Sequence, residues 1–217
     1  MSFITEFQSR LPADLRKKFL TLDTPFAIQE YLDSMPYIGE ERDRSPLNVM
    51  LDKQCHCLDG GFLAALALWQ IGFKPLLIDI VPDPGKDDDH VLALYRVEDR
   101  WGAVAKSNYI NLGFREPVYK NLRELVMTYF EYYASIHQEK VLRGYTRPFN
   151  ASRYTHLNWA WDEAGANQLY HKHFYGRKAI PLITPRMARR LNPITNRSYR
   201  AETMYTDLNE SFGKRDA

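Results

Sequence analysis

Hydrophobic and polar positions divide the chain into segments of two distinct periods. Cys57 to Gly72 is almost unbroken apolar sequence and predicts a buried helix, closed where Gly72 can take positive φ and Pro75 forbids continuation. Leu76 to Val81 is a leucine-rich and β-branched run, Pro82 to Gly85 is a turn signal, and His90 to Val97 predicts a second strand. Glu98, Asp99 and Arg100 read as a hairpin turn, and Trp101 to Lys106 as the returning strand. Upstream, Thr24 predicts the cap of a helix opening at Pro25, with Ile28, Tyr31, Leu32 and Met35 on one face. Downstream, Asn121 predicts another cap, followed by Leu122, Leu125, Val126, Tyr129, Phe130 and Tyr133 as a wide helical stripe. Helices around a short antiparallel sheet, with further helices after it, make an α+β domain.

No repeat, low-complexity tract or Pro-rich or Ser-rich linker marks a boundary. The chain is therefore expected to be one domain over 1–217, with a core at about 20–148 and a helical or irregular extension over 149–217. With 217 residues, 45% of them hydrophobic and 26% charged, it can bury a sizeable core without staples. The two cysteines, Cys55 and Cys57, are too close in sequence for a comfortable disulfide. Met1 to Phe7 has none of the marks of a signal peptide, and no apolar run is long enough to span a membrane. A cytoplasmic protein without a membrane partner is expected.

Candidate chemistry centres on Cys57 and His90. At the start of its helix, Cys57 faces unpaired N–H groups and the positive end of the helix dipole, which favour a thiolate and are suited to an oxyanion. Gly60 and Gly61 behind it are expected to leave room for an approaching carbonyl. A cysteine beside an apolar helix is most often an inert core residue. What sets Cys57 apart is the strand that follows, opened by His90.

A helix-borne cysteine, a strand-borne histidine and a returning strand in that order resemble the transglutaminase-like superfamily, a branch of the papain-like cysteine fold, over roughly residues 45–135. Ile71, Gly72 and Phe73 stand where that family closes its nucleophile helix. The strings Asp87 to Val91, Trp101 to Asn108 and Arg115 to Tyr119 also resemble uncharacterised bacterial transglutaminase-like proteins. The resemblance implies Cys57 as nucleophile and His90 as acid and base, attacking an amide or ester carbonyl through a thioester that water or an amine resolves. It selects Cys57 over Cys55, which precedes the helix and reads as a packing thiol. It implies no cofactor and no metal, and a peptide, protein or small amide or ester as partner.

One position departs from the family. An aspartate is usual four residues past the tryptophan of the returning strand, where it orients the histidine; here that residue is Ala105. Asn108 is expected to take the role, as an asparagine does in the papain branch, with Ser107 as the alternative; both residues also commonly end strands. Gln54 is a candidate second oxyanion donor. Asp87, Asp88 and Asp89 are expected to raise the His90 pKa and favour its imidazolium, unless they form a solvated loop.

From Phe149 onward the sequence is aromatic and less regular, with Trp159, Trp161, Tyr170, Phe174 and Tyr175 near His156, His171 and His173. These suggest a packed lid or groove, and the histidines have no third ligand at metal-binding spacing. From Arg177 to the end there are nine Lys or Arg against four Asp or Glu. The net charge of +2 and the absence of a nucleic-acid motif argue for a solvated basic face. The sequence thus reads as a cysteine hydrolase or acyltransferase with Cys57, His90 and Asn108 as its site. The alternative is a catalytically silent scaffold of the same fold that binds a peptide or protein, motivated by Ala105.

Overall fold

A computed structural model describes residues 1–214. Three helices open the chain, α1 (Phe3–Arg10), α2 (Ala13–Leu20) and α3 (Pro25–Asp33), followed by α4 (Pro46–Asp52) and α5 (Cys57–Gln70). The strands β1 (Leu76–Pro82), β2 (His90–Val97), β3 (Arg100–Val104) and β4 (Arg115–Tyr119) come next, then α6 (Leu122–Met127). The remainder contributes β5 (Leu142–Thr146), β6 (Phe149–Asn150), α7 (Glu163–Leu169), β7 (Ala179–Pro181), α8 (Pro185–Ala188) and α9 (Asn196–Glu202). Among the described residues no helix is long and apolar enough to cross a membrane.

The fold is α+β. Every strand pairing is antiparallel, in the order β4-β3-β2-β1-β5-β7, with β6 also paired to β1. The sheet is larger than the sequence suggested, because β5, β6 and β7 are short segments within stretches that carry no strand period. Glu98 and Asp99 turn the β2–β3 hairpin with φ of 48° and 61°, the left-handed pair that suits the twist of a two-residue hairpin.

Alternation along the strands divides two apolar layers. Leu77, Val91, Ala93, Tyr95 and Val104 face α5, together with Trp159, Tyr170 and Phe174 from the later chain. Ile78, Ile80, Leu92, Leu94 and Ala103 face the other way, toward Leu125, Val126, Tyr129 and Tyr133. That second layer corrects one expectation. The helix capped by Asn121 stops at Met127 instead of running to Tyr133, and Thr128, Tyr129 and Phe130 continue by bonds to carbonyls three residues back. The tighter winding still keeps the aromatics buried.

Two buried polar side chains tie the sheet end to the N-terminal helices. Gln29 of α3 accepts from Ala105 N–H at 3.0 Å and donates to its carbonyl at 2.9 Å. Lys106 is buried, and its ammonium caps α3 by donating to the carbonyls of Leu32, at 2.9 Å, and Met35. Together they fix the point from which Ser107 and Asn108 leave β3.

Candidate active site

Helix α5 starts at the thiol. His56 is the extended residue before it, and its N–H donates to Asp59 Oδ1 at 2.9 Å, closing the first turn as an acidic N3 residue does. Cys57 and Leu58 therefore present N–H groups that have no carbonyl four residues back within the helix. Gly60 and Gly61 serve a different purpose from the one the sequence suggested. A Cβ at Gly60 would lie 2.7 Å from Lys106 Cβ, and one at Gly61 would lie 2.8 Å from Val91 Cγ1. They let α5 press against the sheet, which is how Cys57 comes beside the start of β2.

Cys57 Sγ lies 3.6 Å from the Asp89 carbonyl, a weak thiol donor contact one residue from His90. Cys57 and His90 line the same cavity of about 40 Å³, with Asn108, Tyr133 and Ser211. His90 is buried, and its Nε2 lies 2.8 Å from the Leu112 carbonyl. A carbonyl only accepts, so Nε2 carries the hydrogen, and in the neutral ring Nδ1 is the acceptor. Burial, opposed by that bond, lowers the His90 pKa to about 4, with Arg115 adding to the fall. The aspartate run therefore does not make His90 an imidazolium: desolvation decides, and Leu112, Arg115 and burial are the groups that set its charge. The Cys57 thiol is also raised by burial; hydrogen bonding to His56 and its charge pull the other way, and Asp89 and Asp88 add to the rise. The helix dipole does not outweigh desolvation here.

Asn108 lines the cavity, yet its amide is engaged elsewhere. Nδ2 donates to the Asp207 carbonyl at 2.8 Å and to Ser211 Oγ at 3.3 Å, while Oδ1 accepts from Asp207 N–H at 3.2 Å. The bond assigned to it from the sequence, holding the His90 ring, is made by the Leu112 carbonyl. Backbone carbonyls leave no signature in sequence, which is why the acceptor could not be named there. Ser107 Oγ accepts from Tyr109 N–H at 2.9 Å. Gln54 is half-buried and lines neither cavity at Cys57. Cys55 is fully buried, and desolvation pushes its thiol far up.

The clamp on Asn108 belongs to a strap over the His90 side. Thr206 Oγ1 donates to the Asn108 carbonyl at 2.8 Å, Tyr109 Oη and Ser211 Oγ lie 3.0 Å apart, and Gly39 N–H donates to Glu210 at 2.6 Å. Glu210, Ser211 and Phe212 close the cavity. Ending the chain at Thr203 is expected to speed alkylation of Cys57 by a bulky maleimide by about tenfold, because a strap with few apolar anchors opens at low cost. Equal rates in the two proteins would show that the strap does not control access.

A second cavity of about 290 Å³ meets the thiol from the other side, between Cys57, His56, Asp43, Glu41, His171 and Tyr175. His56 Nε2 lies 3.3 Å from both Asp43 Oδ1 and the Arg42 carbonyl, and Nδ1 lies 3.5 Å from Asp59 Oδ1. His171 Nε2 lies 2.7 Å from the other oxygen of Asp43. Burial would lower the His56 pKa, but bonds to Asp43 and Cys57 and the Asp59 charge outweigh it and hold it up to about 11. Sequence reasoning missed His56, Asp43 and Asp59; a histidine adjoining the nucleophile and an acid at N3 were the available signals. The described residues hold no cluster of three or more His, Cys, Asp or Glu suited to a metal. Of the C-terminal basic residues, Arg186, Arg189, Arg190, Arg197 and Arg200 are solvent-exposed.

No protein-family model matches the chain, and no curated protein matches it. Among solved structures, EGTA-treated LapG of Legionella pneumophila is similar with 12% identity and a TM-score of 0.41, over 70% of this chain and 83% of that one. A second LapG structure from the same organism is similar with 13% identity and a TM-score of 0.36, over 59% of this chain and 96% of that one. Overlap of this extent transfers no role to any residue.

Proposed function

We propose that the chain is a transglutaminase-like cysteine hydrolase that cleaves an amide or ester bond. The observation that carries the reading is the convergence of Cys57, at a helix start, and His90, with its Nε2 hydrogen fixed on Leu112, in one cavity. As sulfur attacks the acyl carbonyl, the thiol proton passes to His90 Nδ1. The imidazolium then gives that proton to the leaving nitrogen or oxygen as the carbon–heteroatom bond breaks, and a thioester remains. Water attacks the thioester with His90 as base, the carbon–sulfur bond breaks, and the thiol takes the proton back.

Cys57 lines two cavities on opposite sides of the thiol. The cavity on the His90 side is about 40 Å³ and shares Ser107, Asn108 and Tyr109 with a larger one of about 850 Å³, whereas the cavity on the His56 side is about 290 Å³ and approaches the size of ligand pockets. The rival reading, a silent scaffold that binds a peptide or protein partner, draws on the burial that raises the Cys57 thiol and on the strap over His90.

The test uses p-nitrophenyl acetate as acyl donor, with mass spectrometry of the protein. An acetyl adduct on Cys57 that is absent in Cys57→Ala and forms about a hundredfold more slowly in His90→Ala is expected. Absence of an adduct in the unaltered protein, or equal rates in His90→Ala, would favour the scaffold.

A further inference from the structure

We infer that His56, clamped by Asp43, is a fixed cation beside Cys57 that stabilises the thiolate as it forms, a role distinct from the proton transfer by His90. The inference deepens the hydrolase reading and rests on it for its catalytic meaning, but its physical content is independent of turnover.

Two carboxylates flank the ring, one at each nitrogen. A neutral imidazole has one N–H donor and one bare nitrogen. Both nitrogens of His56 face oxygen acceptors: Asp43 and the Arg42 carbonyl at Nε2, and Asp59 at Nδ1. With a bare nitrogen toward either carboxylate, two lone pairs would oppose each other in a buried setting. Protonation of both nitrogens suits both carboxylates, and Cys57, the next residue in the chain, lines the same cavity as the ring.

Charged groups around His56 come from each element packed on it. Asp59, from α5, is shared with the Arg44 guanidinium at 3.8 Å. Asp43, from the loop before α4, is shared with His171, while Glu40 in that loop is paired with Arg44. Asp88 and Asp89 precede β2, and burial raises the Asp89 carboxyl toward its neutral form. Glu41 and Tyr175 complete the lining. Among these, Asp43 is the carboxylate held below its usual range, through the bonds of His56 and His171 against the opposing effect of burial. His56 and Asp43 thus form a standing ion pair against the thiol.

That pair supplies what the helix start and His90 lack. His90 is neutral, and burial raises Cys57; a thiol flanked by a neutral imidazole alone would be a poor nucleophile. His56 keeps its proton throughout, so no step passes a proton to or from it. The thiol proton still goes to His90, and His56 lowers the energy of the sulfur anion left behind. The opposite assignment, with His56 as base, would need a nitrogen without a hydrogen, which a ring protonated at both nitrogens does not offer.

Two measurements test this. Cys57 alkylation by iodoacetamide is followed against pH in the unaltered protein, in His56→Gln and in Asp43→Asn, with Cys57→Ser subtracting Cys55. His56→Gln is expected to raise the alkylation midpoint by at least about one pH unit, tenfold less thiolate at a given neutral pH, with Asp43→Asn between. Nitrogen-15 spectra of the His56 ring are expected to show both nitrogens protonated at about pH 8. A neutral ring there, or an unmoved midpoint in a folded His56→Gln protein, overturns the inference even if the acetyl adduct forms. A shifted midpoint without any adduct would instead keep the cation and sink the hydrolase reading. Should His56→Gln fail to fold, the ring spectrum decides alone.

Discussion

Replacing Arg44 by alanine is expected to cost about 3 kcal/mol of folding stability, because it strands a buried carboxylate. The Arg44 side chain is 2% exposed and meets Asp52 at 2.9 Å, Glu40, and Asp59 at 3.8 Å. Glu40 and Asp52 reach solvent and can rehydrate, whereas Asp59 is fully buried. The expected loss therefore sits at the low end for a broken buried pair. Even with Arg44 in place, burial raises the Asp59 pKa to about 6, against the pull of His56 and of the Arg44 charge and backbone N–H. A raised carboxyl favours the fold most below its unfolded value and loses that advantage as pH rises through the folded value. Without Arg44 the folded value rises further, so the deficit of Arg44→Ala is expected to widen between about pH 5 and about pH 8. Urea unfolding at the two pH values checks this, and a pH-independent deficit under about 1 kcal/mol would contradict it. Since Asp59 also holds the His56 N–H, the same variant is expected to slow Cys57 alkylation.

The parts of the site that proved legible are those written as local pattern. Pro25 after Thr24, the apolar run from Cys57 to Gly72 and the strand from His90 to Val97 each carry their own start and stop, and the structure has α3, α5 and β2 there. What could not be read is whatever depends on a distant partner. Lys106 looks like a surface residue in sequence, but it is buried because the carbonyls at the end of α3 arrive 71 and 74 residues earlier. The Leu112 carbonyl holds His90 with no side chain to announce it. Asn108 lines the cavity, but its amide is taken by a strap that lies 99 residues on and that no local pattern announces. His56 sits next to the nucleophile in the sequence, yet its charge follows from Asp43, which only the fold sets against it.

Asp79→Asn is expected to stabilise the protein at neutral pH by about 1–3 kcal/mol, the reverse of what removing a buried charge partner does. Asp79 of β1 is 6% exposed, its Oδ1 is buried without a hydrogen-bond partner, and the Asp89 carboxyl is its electrostatic neighbour. Burial raises both carboxyls, and for Asp79 the nearby Asp89 charge adds to the rise while Arg177 opposes it. A buried carboxyl beside a half-buried one keeps a proton that the unfolded chain gives up near the ordinary carboxylate value, about 4. The folded state thus binds more protons above that value, and stability must fall as pH rises from there across the neutral range. An asparagine amide takes the place of the protonated carboxyl and can donate to Asp89 without a proton from solvent. The two proteins are expected to be nearly equal in stability at about pH 4 and to diverge as pH rises, the variant retaining what the parent loses. Thermal unfolding across that range decides it. A variant less stable than the parent at neutral pH would mean that Asp79 is ionised in the fold and paired with Arg177, whose Nη1 is buried without a hydrogen-bond partner. The pair also bears on the site, because the Asp89 carbonyl receives the Cys57 thiol. A proton held between Asp79 and Asp89 leaves the pair with one negative charge instead of two, and so lessens the repulsion that the thiolate meets from the Asp89 side.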